Sequence, residues 1–162
     1  MTAVEVTGNA QRQAWRDRVL PPVEQVRPGL WSIPVPIPDN PLRYVLVYLF
    51  EVTGGAVVVD TGWNTETAWA ALTAGMRLAG YAPADVRGAL ITHIHPDHYG
   101  LAGRLREASG GWVALHPADA ALLPGRYGAG VDEVIGTMRA LLRTCGVPEA
   151  VVVELSGASM GV

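Results

Sequence analysis

Three of the 4 histidines in this 162-residue chain fall within the six positions 93–98, in the run Thr92-His93-Ile94-His95-Pro96-Asp97-His98-Tyr99-Gly100. Imidazole and carboxylate groups at such spacing can hold metal ions. Where a strand runs out, residues two apart point to one side, so His93 and His95 can converge on a single cation. Pro96 ends the extended run, because it fixes its own φ and offers no N–H to a ladder. Asp97 and His98 are adjacent at the start of a predicted helix, face another direction and can serve a second cation. Asp97 is also the candidate catalytic carboxylate, and Gly100 adds no side chain to crowd the site. Neutral imidazole and carboxylate suit zinc, iron or manganese, one ion or two. Such a zinc site keeps an open position and lowers the pKa of water to about 7. Two ions about 3.5–4 Å apart could polarise a carbonyl or phosphoryl oxygen together. The bland alternative is a polar surface loop whose Asp97 only caps a helix.

A strand must lead into that run and a helix must follow it. Gly88–Thr92 is a short apolar strand candidate, and a helix is expected from about His98 to Ser109. Upstream, Val23–Val26 and Leu30–Val35 are short strand candidates around the Pro28-Gly29 turn. Tyr44–Val52 reads as a buried strand, with Ala56–Val59 returning from a turn at Gly54-Gly55. Asn64 or Thr65 can cap a helix carrying Trp69, Leu72, Met76 and Ala79 at helical spacing, stopped by Gly80. Downstream come a strand at Trp112–Leu115 and helices at Pro117–Leu123 and Val131–Thr144. Pro148-Glu149-Ala150 suggests a last helix, although Val151–Val153 would suit a strand. No pattern follows Leu155. The order implies a mixed sheet with helices packed on one face, an α/β (α+β) fold. Residues 1–22 read as a lead-in segment, and residues 23–162 as one domain.

Composition narrows the partners. Hydrophobic residues make up 49% and charged residues 17%, with net charge −3, which suits a globular domain. No dense basic stretch suggests nucleic acid. No apolar run approaches the ~20 residues a membrane helix needs, and no signal-peptide pattern is seen. A cytoplasmic protein acting on a small molecule is expected. The single cysteine, Cys145, excludes an internal disulfide, and its place late in an apolar helix reads as a buried small hydrophobe.

The His-x-His-x-Asp-His run, preceded by a hydrophobic hairpin, Asp60-Thr61-Gly62 and a helix, resembles the signature of the metallo-β-lactamase superfamily, which includes the glyoxalase II-like hydrolases. The resemblance covers about residues 28–125. It implies that His93 and His95 ligate a first metal, and Asp97 and His98 a second. It also implies that Asp60, 33 residues before His93, orients the metal loop; read alone, Asp60 is equally a turn-former at a strand end. The activity implied is metal-dependent hydrolysis of an ester, thioester, amide or phosphoester. Redox members that use iron typically carry Glu where this chain has His95. Family members fold as two sheets between helices (αββα), and their second half supplies another His to each metal and a bridging Asp. Here only His116 follows the motif, 18 residues after His98, too early for that role, and it reads as a polar residue starting a helix. The expectation is therefore an N-terminal half: truncated, or completed by a partner chain. A catalytically inactive half-domain that binds metal weakly is the alternative. Trp31, Trp63 and Tyr99 are candidates for a pocket mouth. The apolar strands at Tyr44–Phe50 and Ala56–Val59 predict a sheet covered on both faces. A homodimer through the second face, or cover from the N-terminal segment and the residues after Val131, would satisfy them.

Overall fold

The computed structural model describes residues 8–128 and 130–158; the start of the expected lead-in (1–7) and the patternless end (159–162) lie outside the described residues. After helix α1 (Asn9–Asp17) come strands β1 (Glu24–Arg27), β2 (Leu30–Pro36), β3 (Tyr44–Val52) and β4 (Gly55–Val59). Helix α2 (Glu66–Leu78) leads through a 3-10 turn to β5 (Val86–Leu90), then α3 (Pro96–Tyr99), α4 (Ala102–Ser109) and β6 (Trp112–Ala114). The six strands form one mixed sheet in sequence order. β1 to β4 are antiparallel neighbours, whereas β4, β5 and β6 run parallel. A parallel pair needs a crossover, and α2 provides it between β4 and β5.

One face of the sheet is the core. Ile33, Val35, Val47, Leu49 and Val58 are fully buried there, with Leu72 and Met76 of α2 and Leu105 of α4. Of the two capping candidates, Thr65 caps α2: its hydroxyl accepts from the Ala68 N–H at 3.2 Å, satisfying one orphan donor of the first turn. Arg104 of α4 reaches back to α2, with its guanidinium 2.7 Å from the Glu66 carboxylate and stacked over Trp69.

The second face is not covered as the apolar strands imply. Along β3 and β4, fully buried residues alternate with half-buried Leu46, Tyr48, Val57 and Val59, while Phe50 and Leu90 are 40% and 45% exposed. Apolarity at every position reports what both faces prefer to touch. Within this unit the core helices reach only one of them. α1 borders the other, where Trp15 packs edge-on against Tyr44 at 6.0 Å and Arg43 lies 4.6 Å over Trp15.

The helix expected from His98 to Ser109 is interrupted. The Leu101 N–H bonds to the Gly62 carbonyl at 3.0 Å instead of a carbonyl one turn back, so α3 ends and α4 starts afresh. Gly100 makes the approach feasible. A Cβ there would stand 2.8 Å from both Asn64 N and Gly62 O, so its smallness serves backbone packing rather than space at the histidines.

The residues up to His116 form one compact unit, and those from Pro117 form a second. The second unit is helical: α5 (Pro117–Tyr127), α6 (Val131–Thr144) and α7 (Glu149–Ala158). α5 runs on past Leu123 with Pro124 inside it, and Val151–Val153 lie in helix. Cys145 is exposed, a correction to the buried hydrophobe expected: α6 ends at Thr144 and Cys145 is its C-terminal flank. Among the described residues no helix is long and apolar enough to cross a membrane.

Candidate metal centre

The parallel pairing of β4 with β5 brings the chemistry together. Val59 and Leu90 are register partners, so Asp60 and the residues after Leu90 emerge side by side at the carboxyl ends of the strands, where open sheets of this kind place ligands. Asp60 adopts the left-handed conformation, φ 62°, which Asp tolerates better than most residues. Its N–H bonds to the Leu90 carbonyl at 2.8 Å. Thr61 then clamps the far end of the histidine run, its N–H and hydroxyl both donating to the His98 carbonyl at 2.8 and 2.9 Å. Gly62 closes the turn at φ 95°, where a Cβ would lie 2.5 Å from Val35 Cγ1. The Asp-Thr-Gly sequence is thus the frame on which residues 92–98 are hung.

The five predicted residues meet in one place. His93 Nε2 faces His95 Nδ1 at 3.0 Å. His98 Nε2 faces Asp97 Oδ2 at 3.3 Å. The rings of His93 and His98 are 4.1 Å apart between centroids. Asp60, 5% exposed, sits behind both pairs. Its carboxylate accepts from His98 Nδ1 at 2.8 Å, from the Thr92 N–H at 2.9 Å and from the Thr92 hydroxyl at 3.0 Å.

Thr92 is the residue that sequence reasoning passed over. Its hydroxyl has one proton, which goes to Asp60, so it accepts from His93 Nδ1 at 3.0 Å. That assigns the tautomer: with Nδ1 protonated, His93 keeps its lone pair on Nε2, the atom that faces His95. One carboxylate therefore orients both pairs, His98 directly and His93 through Thr92. The available signal was a hydroxyl residue immediately before the first His at a strand end.

Electrostatics follow from this wiring. Burial pushes the Asp60 carboxyl up, but bonds from His98 and Thr92 and the His98 charge outweigh it and hold Asp60 below its ordinary range. The bond to Asp60 raises His98 above the usual imidazole value, against desolvation. Desolvation, then the charges of His98 and His95, lower His93. The linkage signs differ accordingly. The His98 contribution to stability is complete below its unfolded pKa of 6.5 and is lost as pH rises through the raised folded value. The Asp60 contribution is present above 3.8 and lost as pH falls through the depressed value. His93 acts oppositely to His98, disfavouring the fold as pH drops below 6.5, so a global melt would blend the two. NMR titration of the metal-free chain separates them. His98 is expected to titrate above 6.5 and His93 below it, and Asp60→Asn should bring His98 down. Coincident titration of the two rings would contradict the network.

Among the described residues, no group of three or more His, Cys, Asp or Glu is arranged to hold one ion. The donors come in twos. His116 is exposed at the end of the first unit, just before α5. Of the aromatic residues named for a pocket mouth, Tyr99 and Trp31 pack against the core, with Trp31 Nε1 donating to Glu51 at 3.0 Å. The cavity beside the centre is walled instead by Trp15, Tyr44 and Tyr48.

The sequence profile of the metallo-beta-lactamase superfamily matches residues 40–159, and the chain belongs to that superfamily, whose fold is that of metal-dependent hydrolases. The structure is similar to a metallo-beta-lactamase family protein from Thermus thermophilus, with TM-score 0.68 and 34% identity, over 84% of this chain and 44% of that one. It also resembles a metallo-beta-lactamase with a HARLDQ motif from Cronobacter sakazakii: TM-score 0.54, 21% identity, 64% of this chain and 38% of that one. A subclass B3 metallo-beta-lactamase from a soil metagenome library, MEM-A1, gives TM-score 0.50, 20% identity, and 64% and 36% coverage. The likeness to the last two is one of fold alone. The chain spans less than half the length of each of these structures. No curated protein matches it.

Proposed function

We propose that this chain contributes two metal half-sites to a zinc-dependent hydrolase centre acting on an ester, thioester, amide or phosphoester. The observation that carries the reading is the spacing within the donor pairs. Two nitrogens about 2.05 Å from a tetrahedral zinc stand roughly 3.3 Å apart, and a nitrogen and a carboxylate oxygen do nearly the same. His93 Nε2 and His95 Nδ1 are 3.0 Å apart, and Asp97 Oδ2 and His98 Nε2 are 3.3 Å apart, so each pair suits one ion. Imidazole and carboxylate fit zinc, and iron or manganese by the same donor chemistry. When bound, zinc supplies Lewis acidity, activating water near neutral pH and polarising the scissile group. The chain's own residues hold and orient. Asp60 fixes His98 and, through Thr92, His93, the usual support for ligating imidazoles.

Two donors per ion leave each site short of the three protein ligands common in catalytic zinc centres. The remainder would come from further polypeptide or a partner copy, and a homodimer is one such source. The same shortfall supports a second reading: a half-domain that binds metal weakly and turns nothing over. Equilibrium dialysis against zinc, followed by assay of a chromogenic ester, separates them. The proposal expects up to two ions per chain, readily stripped by chelator, and zinc-dependent hydrolysis. Binding without turnover would select the second reading. No binding would sink both.

A further inference from the structure

A cavity of about 830 Å³ lies between α1 and the second sheet face, and it runs into the candidate centre at Asp60, Thr92, Asp97 and His98. Such a volume is in the range of small-molecule sites, roughly 300–1,000 Å³. Its apolar wall is Trp15, Leu42, Tyr44, Leu46, Tyr48 and Val59. Most of these are the residues that leave the second face half-buried, so an apolar ligand body would complete cover the fold lacks. α1 adds a charge to this lining. Arg12, one turn before Trp15, lines the cavity, and its guanidinium has no ion pair among the described residues. Gln11 beside it carries a buried Nε2 donor with no acceptor there. Buried donors are rarely left so in folded proteins, and a free guanidinium is the side chain best shaped for a carboxylate or phosphate. The cavity's carboxylates, Asp60 and Asp97, come instead from the strand-end loops and would repel an anion, which leaves Arg12 as its seat.

We propose that this cavity takes a small amphipathic organic anion, its apolar body against Trp15, Tyr44 and Leu46 and its charged group on Arg12. The inference deepens the hydrolase reading and rests on it in one respect only: the bond to be cleaved would be the one lying beside Asp97 and His98. The substrate class is then an ester, thioester or amide of an apolar acid that carries a second, anionic group at the Arg12 end.

The test uses the metal-free chain, so that it does not depend on hydrolysis. 4-Phenylbutyrate, methyl 4-phenylbutyrate and inorganic phosphate are titrated separately, followed by NMR shifts of the indole N–H groups and by tryptophan fluorescence. The expected result is binding of the carboxylate about threefold tighter than of its neutral methyl ester, the scale of an exposed ion pair, with phosphate alone weaker than either. Arg12→Ala should abolish that preference while leaving the methyl ester unaffected, and Arg12→Lys should restore part of it. Arg12 is exposed on a helix, so neither substitution should threaten the fold, and circular dichroism checks this. Equal affinity for acid and ester, failure of both to bind, or an undiminished preference in Arg12→Ala would overturn the proposal. Those outcomes leave the metal reading standing, just as failure to bind zinc leaves this one standing.

Discussion

Replacing His93 with alanine is expected to lower zinc affinity at the His93–His95 pair by about 100-fold. Structural zinc sites with four ligands bind with apparent free energies of about 10–16 kcal/mol, or roughly 3 kcal/mol per ligand, and each 1.4 kcal/mol is tenfold. With Nε2 of His93 set 3.0 Å from Nδ1 of His95, the loss removes half the donors of that pair. Competition against a fluorescent zinc chelator would measure it. The second pair, Asp97 with His98, should retain its ion, so stoichiometry should fall by one rather than to zero. His93 is half-buried at the loop, and the fold should lose little. A change in affinity below about threefold would mean that the imidazoles pair only with one another.

Asp60→Ala should act on binding and stability together, and more broadly than any single ligand. The carboxylate holds His98 Nδ1, the Thr92 N–H and the Thr92 hydroxyl, and the hydroxyl in turn holds His93. Removing it frees both donor pairs at once. Loss of such a supporting partner typically costs about 10–100-fold in metal affinity, here at both pairs. The Thr92 N–H loses its acceptor, and alanine tolerates φ 62° less well than aspartate does, so stability falls as well. Asp60→Asn divides these effects. Asparagine accepts the left-handed conformation and can still receive the Thr92 N–H, but its amide nitrogen cannot accept from His98. It should keep most of the stability and lose the metal affinity. Chemical denaturation beside zinc competition would show the split. If Asp60→Asn binds zinc as tightly as the parent, Asp60 is a turn residue and nothing more.

Much of this centre was legible from the chain, because its pieces are local. His-x-His and Asp-His are each contiguous, and the strand before them and the end of the extended run at Pro96 are set by apolar periodicity and by proline's fixed φ; that Pro96 itself opens a turn of helix was not read. β3 and α6 begin and end where composition alone places them. Features that depend on neighbours distant in sequence were not legible. Nothing near residue 101 reveals that Leu101 donates to Gly62, which breaks the helix expected from His98. The exposure of Cys145 was not read from the chain either, although the helix before it ends at Thr144 as expected.

The division has a physical reason. The kinds of donor, their number and the order in which they leave the strand are covalent facts, and the sequence by itself determined them. It also determined that Asp60 is followed by the Thr-Gly turn that lets a strand end sharply. Which atoms face each other is a matter of register. The parallel pairing of Val59 with Leu90 brings Asp60 beside Thr92, and no local rule links positions 32 apart. Only the tertiary structure decided that Thr92 relays Asp60 to His93, and that α1 brings Arg12 to a cavity ending at His98. Both arise where segments far apart in the chain are brought together, by the parallel pairing of β4 with β5 and by α1 lying along the second face of the sheet.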